Sequence, residues 1–484
     1  MDQEKEPSRR SVLNCVGRLV AAVASSREHA GAEDSVSPIM ARLSNYMSEA
    51  RDRLMPTEVI EVTKHHVLDT LAAMISGSEL APGRTALKFA RAYPGERLAT
   101  VVASNLVCGP MEAALANAML AHSDETDDSH APSLSHPGCS VVAAALAAGE
   151  LFGIGGTWFL NAVALGYDIG TRVTMTMGGR DLHSSGHRST YSIAGGFGSA
   201  AAAGCAANLN ARQMRWLLDY AAQQASGIAA WQRDTDHIEK AFVFAGMPAR
   251  SGVTAALLVQ SGHTGVDDIF SGADNFLLAN APKSDPSGLI DKLGERYEVM
   301  RTNIKKWAVG SPIQAPLDAL EILLRKHPFQ AEQVKHIVVR TQGSAIVDNR
   351  EMPDICLQHM VSVMVIDKTA SFQAAHDKKR MQDPAVLRLR AKVQLVPDAE
   401  MEKRPAREAI VEVVLNDGTR LNHHAEAVRG SMQNPMTRTD VVAKCRDLIA
   451  PVHGNPKTSK LIDTVLSCEK LTNIRALRPL LQPS

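Results

Sequence analysis

The sequence predicts a mainly α-helical protein, a large all-helical domain with a smaller α+β domain inserted near its end. Three observations carry this expectation. From about residue 37 to 304, apolar residues recur at the helical period; beyond about 306, short β-branched runs alternate with helices; from about 434 to 481, helical patterning returns. The chain has 484 residues, too many for one ordinary core and enough for two domains.

Residues 56–76 show the helical pattern. Pro56 suits a first turn, Ile60, Val67, Leu71 and Ile75 recur near the 3.6 period, and Gly77 can close the end. Ala-rich segments at 139–152, 159–167 and 199–208 carry small side chains that let helices pack closely. Residues 334–340 then read as a strand. Residues 409–415 alternate before Asn416-Asp417-Gly418 and return at 420–427, a hairpin pattern. Helices are expected between these strands at 316–326 and 356–367.

Hydrophobic residues are 45% and charged residues 21%, so most of the chain should fold. Lys plus Arg and Asp plus Glu are 52 each, and aromatics are 4%, which argues against nucleic acid as a partner. Cysteines 15, 108, 139, 205, 356, 445 and 468 are scattered without a C-x-x-C pair and point to reduced thiols. No run of about 18 apolar residues is seen, so no membrane span is expected. Within residues 1–38, Ser8-Arg9-Arg10-Ser11-Val12-Leu13 resembles a twin-arginine signal, although Arg18 interrupts the apolar stretch behind it. The location is therefore cytoplasmic, or periplasmic if this extension is an export signal.

The richest stretch is 122–138. His122, His130 and His136 stand there with Asp124, Glu125, Asp127 and Asp128, between helices expected at 110–121 and 139–152. Pro137 fits a first helical turn whose free N–H groups would face the loop and attract an anion. That helix end would push His136 toward its neutral form, while Asp127 or Asp128 could orient the ring or raise its pKa. The competing reading is that these polar residues cap helices and meet solvent. A magnesium motif of the terpene-synthase kind does not fit Asp124-x-x-Asp127-Asp128, because the order of acids is reversed; no metal is expected. Gly195, Gly196 and Gly198 do not match G-x-G-x-x-G and suit helix packing. Lys240 could meet a substrate carboxylate or be an ordinary surface lysine.

Asp127-Asp128-Ser129 with His136-Pro137, the run from Gly195 to Gly198, and Lys240 with Pro248-Ala249-Arg250-Ser251-Gly252 resemble, in order and spacing, successive motifs of MmgE/PrpD proteins. Leu68-Asp69-Thr70, Gln358 and Asn416-Asp417-Gly418-Thr419 add matches. That family includes 2-methylcitrate dehydratase, cis-aconitate decarboxylase and iminodisuccinate epimerase. The resemblance implies a helical domain at 39–304, a lid at 305–428 and helices at 429–484 that complete the first domain. It further implies a homodimer, no cofactor and a small polycarboxylate substrate bound between domain and lid.

Carried over by residue, the resemblance makes His136 the acid or base, oriented by Asp127, with His187 as its counterpart. Lys240, helped by Lys305 or Lys306, would hold substrate carboxylates, and Asp128, Ser129 and Gln314 would lie at the substrate. Two positions depart from the pattern. The family's second histidine falls on Ser189, two residues after His187, and the lid histidine of the decarboxylases falls on Gln314, which cannot transfer a proton at ordinary pH. The leading expectation is a cofactor-independent lyase, a dehydratase or decarboxylase, acting beside a carboxylate. An epimerase and a non-catalytic or exported carboxylate-binding protein are the alternatives.

Overall fold

The computed structural model describes residues 36–343, 351–404 and 407–483; the twin-arginine stretch falls outside them. The fold is mainly α, as the periodicity predicts. The helices that position the site are α1 (Thr57–Gly77), α2 (Pro110–Ala121), α3 (Pro137–Phe152), α4 (Gly156–Thr176), α5 (Arg180–Gly186), α6 (Thr190–Ala206) and α7 (Ile238–Gln260). After them come α8 (Ser311–Lys326), α9 (Leu357–Asp367), α10 (Phe372–His376) and α11 (Arg438–His453). One core gathers side chains from Met40 to Ile304 together with Val441 to Leu481, so the C-terminal helices pack into the first body. A second core runs from Trp307 to Val428.

Helices α4 and α6 meet where glycine removes the side chain. A methyl group on Gly198 would lie 2.7 Å from the Gly166 carbonyl oxygen, so only glycine permits this approach. This is the packing role expected of the glycine run. Helix α7 is continuous over 23 residues and, by length and composition, apolar enough to span a bilayer; most of its apolar stretch is buried inside the protein, as in a core helix. Its five-residue π segment, Phe242–Gly246, keeps the helix unbroken where the sequence alone showed only shorter apolar runs.

The second body is built on a four-stranded sheet. Strand β1 (Val334–Thr341) pairs in parallel with β2 (Val393–Pro397) and antiparallel with β3 (Ala409–Leu415), which pairs antiparallel with β4 (Arg420–Ala425). Ile337 faces Val413 and Val339 faces Val411, all fully buried under α8 and α9. A register shift between Val334 and His336 brings Val334 onto the same face despite its odd spacing. The expected hairpin closes at Gly418, with φ 89°. Helix α8 starts five residues before the predicted 316, because Pro312 opens its first turn and Pro316 is tolerated inside it. Gln314 therefore lies on a helix, not in the preceding loop.

Candidate active site

The loop between α2 and α3 is buried along most of its length and pinned from four sides. Ser129 and Asn303 exchange backbone hydrogen bonds of 3.0 and 2.8 Å. Lys305 donates to the Glu125 carbonyl at 2.8 Å, and Lys444 on α11 donates to the Thr126 carbonyl at 3.0 Å. From the second body, His376 on α10 places Nε2 3.0 Å from Asp124 Oδ2. His130 holds the loop from within, its Nε2 3.2 Å from the buried Glu298 carboxylate.

The anion predicted at the start of α3 is the chain's own Asp128. Gly138 N–H donates to Oδ1 at 2.9 Å, Tyr167 O–H donates to Oδ2 at 2.5 Å, and His66 Nδ1 lies 2.8 Å from Oδ2. A methyl group on Gly138 would come within 2.8 Å of Thr70 Oγ1, Tyr167 Oη and Asp128 Oδ2, so glycine is required there. Asp128 was expected at the substrate. Its oxygens are already occupied in the interior, where burying an unpaired charge would be costly, and its role is to fix the loop to the helices.

One residue earlier, Asp127 faces the other way and joins two histidines. His136 Nδ1 is 3.1 Å from Oδ1 and His122 Nδ1 is 2.9 Å from Oδ2. Burial alone would raise Asp127, but His122, His136 and Lys305, whose Nζ is 3.7 Å away, together hold its carboxyl well below the usual range. His136 is pulled in two directions, as the sequence suggests. Burial, supported by Lys305 and His122, outweighs Asp127 and lowers its pKa, so the ring is neutral near pH 7. With Nδ1–H given to Asp127, the Nε2 lone pair is left to act as base.

Glu125 sits between two ammonium groups. It forms an ion pair with Lys240 and another with Lys305, whose Nζ is 3.4 Å from Oε2. Burial would raise the Glu125 carboxyl, but Lys240, Lys305 and then His237 hold it well below the usual range. Lys305 stays charged because Glu125 and Asp127 outweigh its burial. His237 is pushed well down by burial, Lys240 and His122, and both ring nitrogens lack partners among the described residues. Phe244, in the π segment of α7, stacks on His122 at 4.7 Å and on Tyr191 at 3.8 Å, which fixes this histidine group against a rigid wall.

His136, Tyr191 and Lys305 border a cavity of about 50 Å³ between the two bodies, room for only a few waters. Ser129, His136, Arg180, Tyr191 and Lys305 line it from the helical side, and Gln314 and Arg407 from the other. A wider groove of about 940 Å³ lies against α11. There Lys306 pairs with Glu321, Arg429 with Asp440 and Lys444 with Asp69.

Of the residues singled out from sequence, Asp127, Ser129, His136, Lys305 and Gln314 meet at or beside this cavity. Lys240 lies one ion pair behind it, through Glu125. Three expectations need correction. Lys306 turns into the outer groove, where it lies over Trp307 and pairs with Glu321. His187 is exposed in a left-handed turn at φ 52°, and its ring makes no hydrogen bond to the described residues. Gln314 lines the cavity, but its amide is spent on backbone: Nε2 donates to the Trp307 and Val309 carbonyls at 2.8 Å, and Oε1 accepts from Trp307 N–H at 3.2 Å. Ser189, where the family's second histidine would fall, caps α6 by accepting from Ser192 N–H.

Sequence reasoning did not single out His122, Glu125, His237, Arg180, Tyr191 or Arg407. His122 and Glu125 were visible as members of the charged loop. Nothing local marks the arginines. The clusters His122, Asp127, His136 and His122, Glu125, His237 have ligand atoms close enough to converge on a metal ion. Lys240 and Lys305 already neutralise the two carboxylates, however, and two ammonium groups at that distance oppose a divalent cation.

A buried histidine held neutral and hydrogen-bonded at Nδ1 to a carboxylate, with a lysine ammonium on the same cavity, is an arrangement that can take up a proton beside a negative charge. The MmgE/PrpD N-terminal domain model matches residues 41–288 and the MmgE/PrpD C-terminal domain model matches residues 307–470, and the chain belongs to this family. It is 24% identical over 478 residues to the cis-aconitate decarboxylase-like protein oryM of Aspergillus oryzae, covering 92% of this chain and 97% of that one. It is 23% identical over 482 residues to cis-aconitate decarboxylase of Aspergillus terreus, covering 92% and 96%.

Proposed function

We propose that the protein is a lyase of the dehydratase or decarboxylase type, acting at the carbon next to a carboxylate of a small di- or tricarboxylic acid without a cofactor. The observation that carries this reading is His136, neutral, hydrogen-bonded at Nδ1 to the buried Asp127 and facing a cavity shared with the buried Lys305. In a dehydration Nε2 takes the proton α to the carboxylate as the C–O bond breaks. In a decarboxylation the C–C bond to CO₂ breaks and a proton is delivered to the carbon left behind. In both, the Lys305 ammonium stabilises the negative charge that develops. Lys240 supports this charge balance through Glu125. Tyr191, whose pKa burial raises, lines the same cavity as a protonated phenol and is the donor for the leaving group. The names of the two relatives support a lyase.

The second reading is an epimerase that returns the proton to the same carbon. The engaged amide of Gln314 favours it, since no leaving group then needs an acid on that side. The working unit is proposed to be a homodimer, an expectation that rests on the family and is checked by mass from light scattering. The enzyme should be incubated with citrate-like acids and amino-dicarboxylates and followed by ¹H NMR. New olefinic signals or loss of CO₂ support the lyase, inversion without change of composition supports the epimerase, and no turnover of any acid by the folded protein contradicts both.

A further inference from the structure

Two guanidinium groups face the cavity from opposite bodies of the protein. Arg180 opens α5 on the helical side, and Arg407 lies on the approach to β3. Neither has a carboxylate within ion-pair distance among the described residues. The neighbouring acid that could have served Arg407 is already taken: Glu408 accepts from Arg404 at 3.0 Å and lies 2.7 Å from His424 Nε2. Arg407 is half-buried, and burial, helped by the positive charge of Arg180 and opposed by Tyr191, lowers its pKa, while Arg180 is exposed and so stands where the cavity opens. Arginine is rarely enclosed without an anion, because a guanidinium removed from water needs its five donors satisfied. Here the two charges also repel, and no carboxylate among the described residues pairs with both. The Tyr191 hydroxyl borders the same space and makes no hydrogen bond to the described residues.

We propose that Arg180 and Arg407 form a carboxylate clamp for the substrate's far end, so that the site selects acids bearing a second carboxylate besides the one held at Lys305 beside His136. The inference rests on the acid–base reading of that cavity and adds the specificity that reading lacks. His136 and Lys305 define where the reacting carbon and its own carboxylate lie, and the guanidinium pair defines what must be at the other end. Bidentate pairing of guanidinium with carboxylate fixes direction as well as charge. Because one arginine comes from each body, a bound carboxylate would bridge the two bodies beside the reacting carbon. A monocarboxylate of the same length would satisfy Lys305 and leave the clamp empty.

The test uses the full chain and the unreactive probe propane-1,2,3-tricarboxylate, with butyrate as the single-carboxylate control, in calorimetric titrations. Arg180→Gln and Arg407→Gln should each weaken tricarboxylate binding on the order of 10- to 100-fold and leave butyrate unchanged. With a turned-over acid, KM should rise while kcat stays within about threefold, as expected when binding remote from the reacting carbon is lost. Arg407→Lys should recover part of the affinity, and it keeps the test available if a glutamine variant fails to fold. Guanidinium ion added to Arg407→Gln should restore part of the binding. If wild type converts a polycarboxylate and both glutamine variants bind the probe as tightly as wild type, the clamp is wrong and the catalytic reading stands. If wild type neither binds the probe nor turns over any polycarboxylate, both are wrong.

Discussion

Asp127 and Asp128 are adjacent and chemically identical, yet the fold gives them opposite work. Asp127 aligns His136, while Asp128 joins α1, α3 and α4. Asp128→Ala should therefore lower stability by roughly 3 kcal/mol or more, because it strands three buried donors. His136→Ala should melt close to wild type, since its ring borders a cavity. Thermal and urea melts of the two variants check this, and equal losses would contradict the division. Gln314 supplies a second residue-scale prediction. With its amide spent on backbone, wild type should release little CO₂ from cis-aconitate, and Gln314→His alone should not create that activity. Rapid CO₂ release by wild type would show that no proton donor is needed at this position. The charged loop was legible in the sequence because its residues are adjacent, whereas Lys240 and Lys305 were singled out only through the family resemblance. The arginines and His237 were not, since their significance lies in what the fold fails to pair with them, and pairing is set by contacts remote in sequence.

The contact between α10 and the loop after α2 is the joint between the two bodies at the site. Asp124 outweighs burial and carries His376 up to about 9, with the buried Asp354 adding to the rise. A histidine whose pKa is raised by folding contributes stability that is complete below about pH 6.5 and lost as pH climbs through about 9. His237 has the opposite sign. Its pKa is pushed down, so its neutral form is at no disadvantage above about pH 6.5, and stability falls as pH drops below that. Asp168, Asp318 and Asp354, each pushed up to about 6 by burial, act against the second effect in acid, so the comparison must be made by variant. Melting temperatures from pH 5 to about 10 should show His376→Gln losing less than wild type on the alkaline side. His237→Asn, which tolerates the left-handed backbone at φ 68°, should lose less on the acid side. Parallel curves for each variant and wild type would contradict the assignments.

At the scale of the molecule, periodicity revealed the helical class, the 334–340 strand and the 409–427 hairpin, because each repeats a local pattern every two or nearly four residues. Strand β2 was missed: its residues are only partly buried and it pairs in parallel with β1, far away in the chain, so no local turn announces it. The start of α8 was misjudged because Pro316 reads as a beginning and is an interior residue. The site forms where the two bodies meet, and the central claim is that His136 moves a proton at a carbon beside a carboxylate. That claim is tested most directly by following a converted acid in D₂O by NMR. With the acid and its product both present in D₂O, deuterium should enter the carboxylate-adjacent carbon, through the reverse step where the reaction is a dehydration, and His136→Ala should slow its entry by roughly 10²-fold or more while the variant stays folded. Turnover with no deuterium at any such carbon and no shielded return of the original proton, or incorporation at the wild-type rate in His136→Ala, would contradict it.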